Sequence, residues 1–249
     1  MKLNFLVAPD FSPDRFAGWH MLNTLLQTRS GLHLHLITPD GAQQQTALIK
    51  AGQVDLIYAN PFDASALMRE KDFKAFARPK GKPDEMVIAV GAESIILTIE
   101  DLKPGCKIAM TDHRDVKLIG LRLLEAADLT EADVNWVVVE THQAAARLAM
   151  KGEVDASFFL AETFHSLSRI TKNQLKVLIE SAIDDISHVF LAHPKIADQI
   201  PFISSALTQV GHQTTDSDVL EALGIPRGFE LMLQEDAEFM VDLMDTLLD

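Results

Sequence analysis

The sequence predicts an α/β fold made of two similar units, and two observations lead to this prediction. Short apolar runs of strand length alternate with longer segments of helical periodicity, which is the pattern of α/β proteins. In addition, the stretch AGQVDLIYANPFDA (51–64) is followed one hundred positions later by the similar stretch KGEVDASFFLAETF (151–164). In both, a helix-compatible segment ends at a glycine, and a Val-Asp pair leads into an apolar run. Because glycine accepts a positive φ, each stretch predicts the end of a helix followed by a strand.

The first part of the chain is predicted to contain five strands with three helices between them. The strands are Leu3–Val7, Leu32–Thr38, Val54–Asn60, Phe73–Arg78 and Met86–Val90. The helices are Pro13–Thr28, Ala42–Ala51 and Phe62–Lys71. The first helix carries its apolar residues along one side, which favours packing against a sheet.

The same alternation begins again after the sequence GAES. The stretch TIEDLKPG predicts a helical turn capped by Thr98 and Asp101 and ending at Gly105. The strands that follow are Lys107–Thr111, Val134–Glu140, Val154–Leu160 and Leu175–Glu180, and the helices are Asp115–Ala126, Gln143–Met150 and Glu162–Ile170. The stretch SHVFLAHP predicts one more strand, and the remainder is predicted to be helical with a break at LGIPRGF.

Composition excludes several functional classes. The formal net charge of -14 argues against nucleic acid as a partner, since binding to the phosphate backbone needs clustered cations. No apolar run approaches the roughly 18 residues that span a bilayer, so no membrane insertion is predicted. Cys106 is the only cysteine, which excludes an internal disulfide, and its context favours a small buried hydrophobe. His33 and His35 share one face of a strand, but the alternating leucines already explain that pattern, so no metal and no organic cofactor is predicted.

The N-terminal segment MKLNFLVAPDFSP enters a strand directly, without a charged region followed by a long apolar one. If the chain begins in nature at Met1, we expect a cytoplasmic protein. If an export signal has been removed, we expect a periplasmic one.

Five phrases carry a resemblance to a known family. PDFSP follows the first strand, and ALIKAGQVDLIYANP, LTIEDLKPGCKIAM, VETHQAAARLAMKGEVDA and VLEALGIPRGFELM follow in this order. The chain thereby resembles, from about Leu3 to Leu248, the phosphate/phosphite/phosphonate-type substrate-binding proteins of ABC importers, the PhnD-like family. That resemblance implies a two-lobed periplasmic-binding-protein-like type II fold, with a hinge and an interlobe cleft that closes on one small ligand. Lobe one would contain 1–90 and 190–249 and lobe two 91–189, with crossing strands near Val87–Ala92 and Ser187–Ala192.

The family binds its anion with a Ser/Thr-rich turn at a helix N-terminus, where free backbone N–H groups favour negative charge. The corresponding stretch here, MTDHRDVKLIG, retains the hydroxyl of Thr111 and adds two carboxylates, Asp112 and Asp115. The resemblance therefore makes His113 and Arg114 the candidates for binding an anion, and Arg114 could do so with a bidentate fork. His142 matches the family's histidine after the next strand.

Four further residues complete the expected site. Tyr58 and Asn60 end a strand of lobe one, and Phe158 or Phe159 ends the equivalent strand of lobe two. Side chains alternate along a strand, so only one of the two phenylalanines should reach the ligand, and Phe158 is taken as that residue. Ser12 either donates to the ligand or caps the following helix.

Three functions stay open at this point. The first is a non-catalytic binding protein for a small anion, a phosphonate or another oxyanion, with an ABC permease as a possible partner. The second is a cytosolic enzyme on the same fold, of the menaquinone-pathway or thiamine-precursor type. The third is a ligand-sensing or partner-binding protein that has lost transport and works with a sensor protein.

Overall fold

The computed structural model describes residues 2–9, 11, 15–82, 84–183 and 185–248. The chain divides into two compact units. The first unit is Met1–Pro83 with Asp185–Asp245, and the second is Asp84–Asp184 with Thr246–Asp249. Within the described ranges, no helix is both long and apolar enough to cross a membrane.

The first unit is built on a six-stranded sheet. Its strands are β1 (Lys2–Val7), β2 (His33–Ile37), β3 (Leu56–Ala59), β4 (Lys74–Pro79), β10 (Val189–Ala192) and β11 (Phe229–Leu231), in the order β11-β4-β10-β3-β1-β2. Strand β1 pairs in parallel with β2 and β3, whereas β10 runs antiparallel between β3 and β4. Buried apolar clusters cover both faces of this mixed sheet, as expected for a sheet with helices on both sides.

The second unit is built on a five-stranded sheet. Its strands are β5 (Met86–Gly91), β6 (Cys106–Thr111), β7 (Val134–Val139), β8 (Ala156–Leu160) and β9 (Leu175–Glu180), in the order β7-β6-β8-β5-β9. Strand β6 is parallel to β7 and β8, and β5 is antiparallel to β8 and β9. Two apolar clusters again cover the two faces.

Five strands of the first sheet follow the same order as the five strands of the second. Strands β2-β1-β3-β10-β4 of the first unit correspond to β7-β6-β8-β5-β9 of the second. Strand β5 is the first strand after the chain enters the second unit, and β10 is the first strand after it returns to the first unit. Residues 86–90, which were expected in lobe one, therefore pair within the second sheet, and Val189, which was expected in lobe two, pairs with Ala59 in the first.

Ten α-helices occur in the described residues. They are α1 (Phe16–Ser30), α2 (Ala42–Lys50), α3 (Pro61–Lys71), α4 (Arg114–Leu124), α5 (His142–Met150), α6 (Ala161–Ser166), α7 (Arg169–Lys172), α8 (Ile200–Thr208), α9 (Ser217–Leu223) and α10 (Gln234–Leu248). The expected helical turn after Thr98 is present, with the backbone N–H of Thr98 donating to Asp101 at 3.0 Å. Pro13, where the first helix was expected to begin, lies outside the described residues.

Two predicted elements differ from the structure. The helix expected over Glu162–Ile170 is interrupted, because Leu167 is extended and Ser168 caps a new helix by accepting from the N–H of Thr171 at 3.1 Å. Strand β11 was not predicted. It is a three-residue edge strand whose short sequence carries too little periodicity to be recognised.

Candidate functional site

The parallel pairing of β6 and β7 brings two helix N-termini to one edge of the second sheet. Thr111, the last residue of β6, lies opposite Val139, the last residue of β7. Short turns then lead from β6 into α4 and from β7 into α5. Backbone N–H groups in the first turn of a helix have no partner within the helix, so an edge with two such turns favours negative charge.

Five residues singled out by sequence lie at positions 111–115, where β6 leads into α4, and Asp112 among them is exposed. Thr111 is half-buried, and its carbonyl accepts from the backbone N–H of His113 at 2.7 Å. His113 is the N-terminal capping residue of α4 and has an extended backbone, and Arg114 begins the helix with its side chain outside the described part of the structure. Asp115 is buried in the first turn, at 3% exposure, so the turn holds a carboxylate of its own at the positive end of the helix dipole.

The turn before α5 positions His142. The hydroxyl of Thr141 accepts from the backbone N–H of Ala144 at 3.1 Å, which fixes the start of the helix. His142 follows as the first helical residue, and its ring lies 6.1 Å from that of Phe159 between centroids. Its Nδ1 atom is buried and has no hydrogen-bond partner among the described residues. A buried polar atom of this kind usually has a partner, such as a bound water, ion or ligand.

The pKa of His142 is lowered to about 4 by burial of the imidazole and, secondarily, by the neighbouring His113. The ring is therefore neutral near pH 7, when it offers one N–H donor and one acceptor. An anion bound beside it would favour the protonated form and raise this pKa. His142 and His113 are thus coupled at the edge where α4 and α5 begin.

Phe158, expected to contact the ligand, is instead a core residue. It is fully buried, and its ring lies edge-on to Trp136 with a centroid distance of 5.6 Å. It also fills the space beside Gly120 of α4, where an added Cβ would come within 2.1 Å of the phenylalanine ring. Phe159 is fully buried on the opposite face. The expectation was wrong because helices cover both faces of this sheet, so alternation along β8 leads to two cores and not to one core and one open face.

The residues expected from the first unit lie at the carboxyl end of β3. Tyr58 is buried at 7% exposure, and its ring contacts Trp19, Phe190 and His188. Asn60 caps α3, since its Oδ1 accepts from the backbone N–H of Asp63 at 2.8 Å. Ser12 lies outside the described residues.

Sequence reasoning missed His188 and the ring network around it. His188 is half-buried and stacks on Tyr58, with 5.3 Å between ring centroids and an interplanar angle of 24°. The sequence gives little indication of this contact, because Tyr58 and His188 are far apart in the chain. Strand pairing between Ala59 and Val189 brings them together, and that pairing is invisible in a single sequence.

Two other features do not offer comparable chemistry. A cavity of about 640 Å³ in the second unit lies at the opposite edge of the sheet, where Gly91 ends β5 and Cys106 begins β6. It lacks a polar atom like that of His142, and burial raises the pKa of the Cys106 thiol, helped by the charge of Asp155, which leaves it unreactive. Among the described residues, no group of three or more His, Cys, Asp or Glu is arranged to bind a metal.

Comparison with protein families decides the family membership. Residues 5–237 match the model of the phosphonate ABC transporter periplasmic substrate-binding protein family. The chain belongs to this family. No curated protein matches it.

Solved structures of low sequence identity share the fold. PhnD1 from Prochlorococcus marinus (MIT 9301), in complex with methylphosphonate, has 13% identity and a TM-score of 0.79 over 99% of this chain and 98% of that one. A Xanthomonas citri protein bound to ATP has 14% identity and a TM-score of 0.77 over 100% and 98%. The aliphatic sulphonate binding protein SsuA from Escherichia coli has 18% identity and a TM-score of 0.66 over 98% and 87%. The fold class expected from sequence, a two-lobed periplasmic-binding-protein fold, is confirmed by these relatives.

Family membership also determines the kind of partner. An ABC substrate-binding family implies a small-molecule ligand and an ABC permease. The family description places its members in the periplasm, so the cytoplasmic expectation and the sensor-protein partner find no support.

Proposed function

We propose that this protein is the non-catalytic, periplasmic ligand-binding component of an ABC importer, and that it binds a small oxyanion of the phosphonate type. The oxyanion is bound in the second unit, at the N-termini of α4 and α5. His142 is the residue that carries the proposal, because its buried Nδ1 has no partner among the described residues and it begins α5 at this edge.

The chemistry of the edge supports an oxyanion over a cation or a neutral sugar. The first turns of α4 and α5 present N–H donors, and the neutral imidazole of His142 adds one more without the desolvation cost of a buried charge. The hydroxyl of Thr111 is a further donor at the end of β6. The buried carboxylate of Asp115 would repel a bound anion. We therefore expect a ligand of one or two negative charges that is bound mainly by hydrogen bonds.

Titration calorimetry of the purified protein against methylphosphonate, inorganic phosphate, methanesulfonate and acetate tests the proposal. We expect at least one of these oxyanions to bind, and His142→Ala to weaken that binding about tenfold, since one buried hydrogen bond contributes about 1.4 kcal/mol. A thermal melt of each variant ensures that the folded protein is titrated.

The matched control is His165→Ala. His165 lies in the same unit but is exposed, and it pairs with Glu180 at 2.7 Å. Its removal should leave binding unchanged. Failure of all four anions to bind the wild type, or equal affinity in wild type and His142→Ala, would contradict the proposal.

The pH dependence of binding gives a second test. Methanesulfonate keeps its single charge between pH 4 and 8, so any change in affinity reports on the protein. Because a bound anion raises the pKa of His142 from about 4, the complex takes up a proton and affinity should increase as the pH falls toward 5. In His142→Gln that increase should shrink, leaving only what His113, Asp112 and Asp115 contribute. An unchanged pH profile in His142→Gln would exclude His142 as the coupled group.

A further inference from the structure

The second unit carries an isoleucine that is almost fully exposed to solvent. Ile95 follows β5 and is 93% exposed, and Leu97, two residues further on, is 66% exposed. A single exposed apolar side chain is ordinary on a protein surface. The surroundings of Ile95 therefore decide whether it has a role.

Hydrogen bonds fix the turn from which Ile95 projects. The N–H of Ser94 donates to the carbonyl of Gly91 at 2.9 Å, and the hydroxyl oxygen of Ser94 accepts from the N–H of Ile96 at 3.2 Å. The ammonium group of Lys176 donates to the carbonyl of Ser94 at 3.1 Å. A side chain presented by a fixed turn loses little backbone freedom on association, which favours binding.

A groove of about 640 Å³ opens beside Ile95, which forms part of its wall. Its other apolar lining residues include Ile96, Leu102, Cys106, Met150 and Val154. A projecting apolar side chain and an apolar groove thus lie side by side on one surface. Such a surface can pair with itself about a twofold axis, because each copy then offers its side chain to the groove of the other.

The charges around the groove also suit a second copy. Both signs occur there in nearly equal number: Lys103, Lys151, Lys176, Glu93, Asp101, Asp155, and Glu153, which pairs with Lys151 at 3.3 Å. The whole chain has a formal net charge of -14, so most pairs of faces from two copies would repel each other. A face that carries both signs can instead place the cations of one copy opposite the carboxylates of the other.

An exposed aromatic residue of the first unit shows the contrast. Phe239 lies on α10 and is 53% exposed, but the sequence of α10 contains five carboxylates and no lysine or arginine. Two copies that met along this helix would bring like charges together, which disfavours association. Exposure alone therefore does not select a contact surface, whereas the groove beside Ile95 combines exposure, shape and charge.

We propose that the protein forms a weak twofold-symmetric dimer in which Ile95 of each copy enters the groove of the other copy. Seventeen residues line the groove, fewer than the roughly 20–30 residues a side of a standard interface, so we expect a dissociation constant on the order of 10–100 μM. Within the second unit, the groove lies at the edge of the sheet opposite to the N-termini of α4 and α5. The inference therefore does not rest on the proposed function.

Analytical ultracentrifugation of the purified protein from about 5 to about 300 μM, in about 150 mM NaCl to screen the net charge, tests the proposal. The weight-average mass of the wild type should rise with concentration from that of one chain toward that of two. Ile95→Ser should weaken dimerisation at least tenfold, because each dimer loses two buried isoleucine side chains. Lys103→Glu should weaken it severalfold, because a cation of the rim becomes a carboxylate.

The matched control is Val138→Ser. Val138 belongs to the same unit and is 62% exposed, but it lies on β7 and does not line the groove, so its replacement should leave dimerisation unchanged. Thermal melts ensure that each variant is folded. Hydrogen exchange locates the contact, since the amides of residues 91–98 should exchange more slowly as the wild-type concentration rises.

Three results would overturn the inference. The first is a wild type that stays monomeric up to about 300 μM, three times the upper end of the expected dissociation constant. The second is a dimer that Ile95→Ser leaves intact, which would place the contact on another surface. The third is an equal loss of dimer in Ile95→Ser and Val138→Ser, which would show that the groove has no special part in association.

Discussion

The two Gly-x-Val-Asp junctions fold identically in outline and differ in what surrounds them. In the first unit, Gly52 has φ of 65° and its N–H donates to Ile49, while the next N–H donates to Leu48. In the second unit, Gly152 has φ of 67°, and the same two bonds run to Ala149 and Leu148. Both are the Schellman type of helix end, which needs a left-handed residue at this position.

The aspartates of the two junctions also form equivalent hydrogen bonds. Asp55 accepts from the N–H of Asn4 at 2.6 Å and donates its own N–H to the Asn4 carbonyl at 3.0 Å. Asp155 exchanges the same pair of bonds with Lys107, at 2.7 and 2.9 Å. In each unit the aspartate thereby joins its strand to the neighbouring parallel strand, β1 in the first unit and β6 in the second, which explains why the motif is repeated.

The two aspartates differ in burial and in their ion pairs. Asp55 is buried at 8% exposure and its second oxygen forms an ion pair with Lys195 at 2.8 Å, whereas Asp155 is exposed. The junction motif therefore encodes a connection between strands, and burial decides how much that connection contributes to stability.

The largest difference in stability between the two junctions should appear when the carboxylates of Asp55 and Asp155 are removed. Asp55→Ala removes the acceptor of the partly buried N–H of Asn4 and the ion-pair partner of Lys195, whose side chain is 43% exposed, so we expect a loss of about 2 kcal/mol in the free energy of unfolding. Asp155→Ala should cost about 1 kcal/mol, because water can solvate the exposed N–H. Urea unfolding of the two variants measures the difference. Asp55→Asn, which keeps an acceptor but removes the charge, should fall between them, and equal losses would refute the role given to burial.

The two glycines should instead behave alike. No atom lies within 4 Å of the position of an added Cβ at Gly52 or at Gly152, so only the positive φ opposes alanine. We expect Gly52→Ala and Gly152→Ala each to cost about 1 kcal/mol, and to agree within about 0.5 kcal/mol by urea unfolding. A much larger loss at one of them would show that the two helix ends are not equivalent.

Sequence predicted the features of the fold and site that depend on residues close together in the chain, and it missed those that depend on residues far apart. The repeated junction, the capped turn at Thr98 and nearly all strands follow from local patterns. The burial of Phe158 does not, because it depends on helices that cover both faces of β8. The ring network does not either, since composition averages over the chain while strand pairing gathers Tyr58 and His188. At the candidate site, sequence identified His142 but could not indicate that its Nδ1 is buried and unsatisfied.

The smallest expected effect concerns the start of the helix that follows β3 in the first unit and β8 in the second. The two units differ there in helix capping. Asn60 caps α3 through its side chain, whereas Leu160 precedes α6 without a side-chain cap. Asn60→Ala should therefore cost about 1 kcal/mol in urea unfolding.

Asn60→Asp then separates capping from ligand binding at that residue. The variant keeps the Oδ1 acceptor for the N–H of Asp63, but it loses the hydrogen bond that Nδ2 of Asn60 donates to Asp63 Oδ2 at 3.3 Å and places two carboxylates side by side. Its stability should therefore fall by about 1 kcal/mol, which leaves the protein folded for titration. If Asn60 contacts the anionic ligand, as the sequence pattern predicts, the added carboxylate should repel that ligand and weaken methylphosphonate binding at least tenfold. If calorimetry gives wild-type affinity for Asn60→Asp, the residue serves only as the cap of α3, and its likeness to a ligand residue reflects the helix start that both roles require.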